Sequence, residues 1–292
     1  MDNIIRKKIL VLEEARHLVT AQCNLSCKHC YNKAGSNPNL KARKYTQEEI
    51  DGFYHYFKPS VVSATGGEPL LEYETVKQIA KSLNFYGGEL ELVTNAYFLT
   101  SKILDELRNI NPNLSCQISL DGLEEYHNKV RGNNHAFEKA IQGIKLCLSK
   151  GIPVKPRLTL TADNYEETFK VIDLLNEIST NNDNIKLIIR PVVNFGRARE
   201  NNIKSVVQTE SELKKIYNDY SNHVKVGVTE RCGFCTNSLA IDHKGDMYEC
   251  CYLIPNPKYY IGNITDDLSV LTRNQEFLDH KGKCYIKDNR NL

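Results

Sequence analysis

The sequence predicts an α/β protein whose larger part is a partial (β/α)6 barrel of the TIM type. Between about residues 16 and 193 of the 292-residue chain, six short β-rich runs alternate with stretches of helical pattern. Strands that alternate with helices form parallel βαβ units, and ligands of such folds bind at the carboxyl ends of the strands. From about residue 224 the pattern changes to short turns and cysteines, which indicates a small cysteine-rich domain.

Each element follows from its own local pattern. Strands are predicted at His17–Ala21, Val61–Ala64, Leu90–Thr94, Ser115–Leu120, Val154–Leu160 and Ile185–Val192. Helices between them are predicted at Thr46–Phe57, Tyr73–Ser82, Lys102–Leu107, Ala136–Ser149 and Tyr165–Ile178. Thr46 followed by acidic residues is typical of a helix start, and Gly151 is well placed to end a helix.

The domain boundaries follow from the same change of pattern. We predict the barrel over residues 1–205, a bridging helix and linker over 206–231, and a metal-stabilised domain over 232–292. Asn194–Thr209 is expected to be a linker, and helices are expected at Glu210–His223 and Leu268–His280. The last domain is too small to hold together by core burial alone, so a bound metal is expected to stabilise it.

Charge and hydropathy exclude several classes of protein. The chain has 38 basic and 36 acidic side chains and a net charge of +2, so a binding surface for nucleic acid or membrane lipid is not expected. No apolar run is long enough to span a membrane, and the residues from Met1 to Lys8 lack the apolar core of a signal peptide. A cytoplasmic location is therefore expected.

The chain has ten cysteines, and most of them are clustered. Three lie between positions 23 and 30, four between 232 and 251, and one at 284. In a reducing compartment such clusters indicate metal ligands rather than disulfides. Cys116 and Cys147 stand alone on a predicted strand and a predicted helix, so they are expected to be core residues.

The first cluster follows the first predicted strand. Cys23, Cys27 and Cys30 have the spacing C-x3-C-x2-C, which puts three thiolates on one tight loop. Three thiolates leave one iron of a four-iron cluster without a protein ligand, and that iron is open to a substrate or cofactor. The alternative is a three-ligand zinc site, although zinc sites more often use paired C-x2-C motifs.

This loop resembles that of radical S-adenosylmethionine (SAM) enzymes, in which an aromatic residue follows the third cysteine, as Tyr31 does here. The likeness covers roughly residues 16–193. It includes the GGEP segment at residues 66–69, the ends of the third and fourth strands, and His127 and Arg131. The residues that this resemblance places near SAM are Tyr31, Gly66, Gly67, Glu68, Pro69, Asn95, Ser119 and Asp121. In the family the GGEP segment contacts the methionine amino group, and Ser119 and Asp121 are expected near the ribose.

The resemblance also implies a mechanism. SAM binds the open iron through its amino and carboxylate groups, and one electron from the reduced cluster cleaves a carbon–sulfur bond. The products are methionine and a 5′-deoxyadenosyl radical, which abstracts a hydrogen atom from the substrate. The protein holds the substrate near this radical and excludes competing reactions.

The second cluster surrounds a predicted β-hairpin. Leu239–Ile241 and Met247–Tyr248 are its expected strands, with Lys244 and Gly245 in the turn. Because a hairpin brings its ends together, cysteines that flank it are expected to be neighbours. The candidate ligands are Cys232, Cys235, Cys250 and Cys284. On spacing alone, these four cysteines suit a structural zinc ribbon equally well.

The motif C-x9-G-x4-C followed by Gly-Asn-Ile resembles the start of a SPASM domain, the cluster-bearing extension of many peptide-modifying radical SAM enzymes. With only Cys284 beyond this motif, the resemblance implies the shortened twitch form with one auxiliary [4Fe–4S] cluster. Full ligation by four thiolates would suit a cluster that tunes or relays electrons.

Two further groups of residues have alternative roles. Cys251 directly follows a candidate ligand and is predicted either to donate a hydrogen atom to a substrate radical, as in radical SAM peptide epimerases, or to be a small buried residue. Arg157, Arg190 and Arg197 lie on or after late strands. They are candidates to bind a carboxylate of SAM or substrate, and equally to be solvated charges.

Three functions remain open from the sequence. The leading hypothesis is a radical SAM enzyme that modifies a ribosomally synthesised peptide by epimerisation or cross-linking. The second is a radical SAM enzyme acting on a small molecule such as an alcohol, sugar or nucleotide. The third is a zinc-binding adaptor without catalysis. Either enzyme needs an electron donor such as flavodoxin or ferredoxin.

Overall fold

The strands of the described chain join into a single mixed sheet. The computed structural model describes residues 12–179, 183–208, 210–220, 224–228 and 238–267. The strands are β1 (Glu14–Thr20), β2 (Val61–Gly66), β3 (Glu89–Thr94), β4 (Leu114–Ser119), β5 (Val154–Leu160), β6 (Lys186–Pro191), β7 (Lys225–Val228), β8 (Ser238–Ile241), β9 (Asp246–Tyr248) and β10 (Tyr260–Asn263).

Helices connect the parallel strands. They are α1 (Gln47–Phe57), α2 (Tyr73–Asn84), α3 (Ser101–Ile110), α4 (Glu124–Arg131), α5 (Ala136–Ser149), α6 (Glu167–Ser179), α7 (Arg197–Glu200) and α8 (Glu210–Tyr220). Within the described ranges, none of these helices is long and apolar enough to cross a membrane.

The sheet is open, as predicted for a partial barrel. Its strand order is β10-β9-β8-β1-β2-β3-β4-β5-β6-β7, and every neighbouring pair from β8 to β7 is parallel. Since β7 and β10 lie at opposite edges, the sheet does not close on itself. The carboxyl ends of β1 to β6 therefore meet along one rim.

The predicted hairpin forms and extends the main sheet. Strands β8 and β9 pair antiparallel, and Gly245 lies in the turn between them. Strand β8 also pairs in parallel with β1, where Glu14 lies opposite Ser238 and His17 opposite Ile241. The hairpin thus continues the barrel sheet beyond β1. The domain limits at 205 and 231 remain a prediction.

Some elements differ from the sequence-based expectation. Helix α4 and the short edge strands β7 and β10 were not predicted, and the expected linker contains α7. Helix α4 has few apolar side chains and buries His127 and Arg131 instead, so it shows no clear hydrophobic period. The predicted helix Leu268–His280 lies outside the described residues, and α8 is described as far as Tyr220.

The core lies between the sheet and its helices. Helix α1 shows how the local sequence builds it: Thr46 caps its first turn through a capping box with Glu49, and Phe53 lies on its buried face. Burial of an aromatic or aliphatic side chain of this size contributes about 1.5–3 kcal/mol. Cys116 and Cys147 are both fully buried, and the thiol of one hydrogen-bonds to the other, as expected for core residues.

A buried polar pair joins β1 to α1. The Nδ1 of His17 lies 2.9 Å from the hydroxyl of Tyr54, and both side chains are fully buried. The other ring nitrogen, Nε2, has no hydrogen-bond partner among the described residues. Burial lowers the pKa of His17 to about 3, so the imidazole is neutral in the folded protein.

The buried His17–Tyr54 pair predicts that the folded protein loses stability as the pH falls. Between about pH 6.5 and pH 3 the unfolded chain binds a proton at His17 that the folded chain does not, so the free energy of unfolding falls by about 1.4 kcal/mol per pH unit for this group. His17→Gln should flatten this dependence in urea unfolding of the reduced protein between pH 7 and pH 5. His135→Gln, at a side chain that is 67% exposed, is the matched control. An unchanged slope in His17→Gln would contradict this interpretation.

Candidate active site

A pocket opens at the carboxyl ends of the barrel strands and collects most of the residues predicted for the cysteine loop and for SAM binding. The loop after β1 contributes three cysteines and Tyr31, and the ends of β2, β3 and β4 contribute small and polar residues. The predicted site residues that line the pocket are Cys23, Cys27, Cys30, Tyr31, Gly66, Gly67, Asn95 and Ser119. The fold thus brings together site residues that are up to 96 positions apart in the sequence, from Cys23 to Ser119.

The three thiols have the chemistry of an iron–sulfur ligand set. Cys27 is buried, and Cys23 and Cys30 are half-buried. Burial raises the pKa of Cys23 to about 12 and raises that of Cys27 as well, so neither side chain is a stable thiolate by itself. Deprotonating a buried thiol costs free energy. Coordination by iron offsets that cost, because thiolate is the ligand that iron–sulfur clusters require. The residues present fit such a cluster.

No group of three or more His, Cys, Asp or Glu side chains in the described ranges converges on the position of a single metal ion. The three thiols line a common pocket instead. The fit to an iron–sulfur cluster therefore rests on the donor chemistry and on the loop that carries it.

The second GGEP glycine packs the end of β2 against the cysteine loop. The backbone N–H of Gly67 donates to the carbonyl oxygen of Thr20 at 2.7 Å, and the N–H of Glu68 donates to that of Gln22 at 2.8 Å. A Cβ atom on Gly67 would overlap the Gln22 carbonyl oxygen. Only glycine fits this approach, which also leaves the backbone of Gly66 and Gly67 exposed to the pocket.

Glu68 is held by hydrogen bonds within the protein, and its contact with SAM stays a prediction. Its fully buried carboxylate accepts hydrogen bonds from Thr94 Oγ1 at 2.7 Å, from the Asn95 N–H at 2.9 Å and from the Leu70 N–H at 3.2 Å. Burial raises the pKa of Glu68 to about 7, although these donors oppose the rise. Glu68 thus connects the ends of β2 and β3. Its side chain does not line the pocket. Pro69 is the first residue of the short 3-10 helix that follows.

Asn95 and Ser119 reach the pocket, whereas Asp121 lies behind it. The Nδ2 of Asn95 donates to Asn24 Oδ1 at 2.9 Å, within the cysteine loop. Asp121 is fully buried and accepts a hydrogen bond from the Thr159 N–H at 2.9 Å. The expected place of Asp121 near the ribose of SAM stays a prediction.

Asp121 instead organises a charged network behind the cysteine loop. Its Oδ2 lies 2.7 Å from Arg131 Nε and 2.9 Å from His29 Nε2. Burial alone would raise the pKa of Asp121, but Arg131 and His29 hold it well below its usual range. Arg131 also places NH1 3.6 Å from Cys27 Sγ. The network therefore joins β4 and α4 to the thiol of Cys27.

The segment after β6, predicted as a linker, clamps the cysteine loop. The N–H of Arg197 donates to the Cys30 carbonyl at 2.9 Å, and its side-chain Nε donates to the Cys27 carbonyl at 2.8 Å. Gly196 has φ of 55°, and a Cβ atom there would overlap the carbonyl oxygens of Cys30 and Tyr31. Arg197 thus acts as a loop clamp, a role that its position in the sequence did not indicate.

The predicted auxiliary site is described only in part. Cys250 follows β9 and is buried, whereas Cys232, Cys235 and Cys284 lie outside the described residues. The four-cysteine ligand set therefore remains a prediction.

The structure places Cys251 beside the pocket but not on its wall. Its side chain is 2% exposed and packs in a small apolar cluster with Leu18 and Ala240. Tyr31 and Tyr252 pack against this cluster, with ring centroids 4.7 Å apart, and both line the pocket. Of the two roles expected for Cys251, this environment favours the buried one, and hydrogen-atom donation remains a prediction.

Comparisons with known proteins agree on one family. The sequence model described as "Radical SAM superfamily" matches residues 18–178. An AdoMet-dependent heme synthase of Methanosarcina barkeri is 32% identical over 165 residues, which are 55% of this chain and 46% of that protein. A probable GTP 3',8-cyclase of Saccharolobus solfataricus is 28% identical over 211 residues, 70% of this chain and 66% of that protein. The chain spans about half the length of the first curated relatives that it matches.

Solved structures show the same fold. Streptococcus suis SuiB bound to its precursor peptide SuiA superposes with a TM-score of 0.71, at 15% identity, over 94% of this chain and 67% of that one. At this level of identity the likeness establishes the architecture only.

The close approach at Gly67 predicts a strong effect on metal loading. Gly67→Ala should push the cysteine loop away from the end of β2 and lower the iron and sulfide bound per chain after anaerobic reconstitution to less than half of the wild-type value. Gly52→Ala is the matched control, because a Cβ there meets nothing within 4 Å and alanine favours the helix by about 0.5–1 kcal/mol. Equal iron content in the two variants would show that this contact does not shape the loop.

Proposed function

Because the chain belongs to the radical SAM superfamily, we propose that it cleaves SAM reductively in the pocket lined by Cys23, Cys27 and Cys30. The observation that carries this proposal is that the three-thiol loop and the close-packed glycines at the end of β2 share one pocket. When bound, the cluster and SAM supply a 5′-deoxyadenosyl radical after one-electron reduction by a flavodoxin or ferredoxin.

The chain's own residues then have distinct tasks. The three thiolates would hold a [4Fe–4S] cluster, and one of its irons would have no protein ligand and be open to SAM. Gly66, Gly67, Asn95 and Ser119 line the pocket. The backbone carbonyl groups of the two glycines would accept hydrogen bonds from the methionine amino group, and the side chains of Asn95 and Ser119 would contact the rest of SAM. Glu68 and Asp121 act behind this layer as positioning residues, because their carboxylates bind other parts of the protein.

For the substrate, a ribosomally synthesised peptide is the first candidate. It is supported by the likeness of the C-terminal motif to a SPASM or twitch domain and by the predicted hairpin within that motif, which β8 and β9 form. The reaction would be an epimerisation or a cross-link. Cys232, Cys235, Cys250 and Cys284 would then hold the auxiliary cluster, and Cys251 is the candidate hydrogen-atom donor for epimerisation.

A small-molecule substrate is the second candidate, and the curated relatives favour it. The proteins that match by sequence include an AdoMet-dependent heme synthase and a probable GTP 3',8-cyclase. Mass spectrometry of a candidate peptide after reaction in deuterated solvent separates the two classes. Deuterium gained at one Cα means epimerisation, loss of two hydrogens means a cross-link, and an unchanged peptide favours the small molecule.

SAM cleavage itself is the direct test of the proposed chemistry. With dithionite as reductant, the reconstituted protein should form 5′-deoxyadenosine and methionine, and the triple variant Cys23→Ala, Cys27→Ala, Cys30→Ala should form neither above background. Cys147→Ala, at a buried cysteine that does not line the pocket, is the control and should retain both products. Absence of both products from wild-type protein with a full complement of iron would refute the proposal.

A further inference from the structure

The three thiols of the cysteine loop have different neighbours. The Sγ atom of Cys23 accepts a hydrogen bond from a backbone N–H of the same loop at 3.4 Å, and the thiol of Cys30 donates to the neutral side chain of Asn32 at 2.9 Å. Cys27 instead has a cation beside it, because a terminal guanidinium nitrogen of Arg131 donates to its Sγ atom at 3.6 Å. A charged donor therefore faces one particular sulfur of the loop.

Asp121 holds this guanidinium group from behind. Its Oδ2 atom accepts a hydrogen bond from Arg131 Nε at 2.7 Å, and the Asp121 side chain is fully buried. Arg131 itself is 9% exposed and is the last residue of α4. Because a guanidinium group is planar and rigid, a bond at Nε also fixes the direction in which its terminal nitrogens point. The contact with Cys27 is thus made by a buried side chain with a fixed orientation.

A buried cation at this place bears on electron transfer. The reduction potential of an iron–sulfur cluster depends on its net charge, on hydrogen bonds to its sulfur atoms and on its exposure to solvent. Reduction adds one negative charge, so a cation beside a ligating sulfur stabilises the reduced form more than the oxidised form. Water screens this effect at a protein surface, whereas a buried guanidinium group acts through a medium of lower dielectric constant.

We propose that Arg131 raises the reduction potential of the cluster held by the cysteine loop, through its hydrogen bond to Cys27 Sγ, and that Asp121 is the positioning residue that orients it. This inference rests on the proposed function, since it concerns the one-electron reduction with which SAM cleavage begins. The electron comes from the flavodoxin or ferredoxin, which is oxidised by one electron in the same step. Arg131 thereby brings the reduction within reach of such a donor.

A redox titration of the reconstituted protein, followed by electron paramagnetic resonance without SAM, tests the proposal without turnover. The titration of the variant Cys23→Ala, Cys27→Ala, Cys30→Ala is subtracted to remove any auxiliary cluster. Arg131→Gln should lower the equilibrium constant for reduction about tenfold or more, which is a fall of about 59 mV for one electron. Arg131→Lys keeps the positive charge and should lie between Arg131→Gln and the wild type. Lys129→Gln removes the same charge from an exposed position of the same helix and should match the wild type.

A second pair of variants separates the arginine from the carboxylate behind it. In Arg131→Gln the buried Asp121 loses its cation, and an unpaired negative charge would itself lower the potential. Breaking one side of a buried ion pair is also strongly destabilising, whereas removing both charges together is much less so. Asp121→Asn and the double variant Asp121→Asn, Arg131→Gln differ only in the arginine, so the double variant should have the lower potential, again by about tenfold in the equilibrium constant.

Each result has a definite meaning. Equal potentials in the wild type and Arg131→Gln, or in Asp121→Asn and the double variant, overturn the proposal and leave Arg131 a structural residue. Iron content identifies a variant without a cluster, and the remaining pair of variants then carries the comparison. Loss of the cluster from every variant of Arg131 also overturns the proposal, because the arginine would then serve cluster assembly. Failure of iron-loaded wild-type protein to cleave SAM would sink the proposed function, whereas the potential is measured without SAM.

Discussion

The site depends on one packing constraint: the backbone of the cysteine loop is held between two distant parts of the chain. Gly67, at the end of β2, packs against Gln22, and Gly196, after β6, packs against Cys30 and Tyr31. Neither position has room for a Cβ atom, so both contacts require glycine. A loop of three thiols that is fixed at both ends keeps its geometry before any metal is bound, which lowers the conformational cost of assembling a cluster.

Charged groups behind the loop serve the same purpose. Asp121 binds Arg131 and lies beside His29, and Arg131 in turn approaches the Cys27 sulfur. Glu68, after β2, likewise accepts hydrogen bonds from Thr94 and Asn95 at the end of β3 and so connects these two strands. Both carboxylates are fully buried and hydrogen-bonded to other parts of the protein, so they hold neighbouring segments in position. The polar side chains that reach the pocket itself are neutral or basic among the described lining residues.

Much of the fold and of the first cysteine site could be predicted from the sequence, because both depend on local patterns. The six strands follow short β-rich runs that alternate with helical patterns, and the spacing of Cys23, Cys27 and Cys30 places three thiols on one loop. The direction of a side chain at a strand end has no such signal, so the sequence did not reveal that the carboxylates of Glu68 and Asp121 bind other parts of the protein. Helix α4 and the Arg197 clamp depend on contacts between distant segments and on buried polar side chains, which a hydrophobic period does not reveal.

The central claim is that a cluster bound by the cysteine loop has an iron that is open to SAM. Electron paramagnetic resonance of the reduced, reconstituted protein with and without SAM tests it most directly, with the variant Cys23→Ala, Cys27→Ala, Cys30→Ala used to subtract any auxiliary cluster. The account predicts a [4Fe–4S] signal that the triple variant lacks and whose g-values change when SAM is added, because SAM binds the open iron. A signal from the cysteine-loop cluster that SAM leaves unchanged would contradict it.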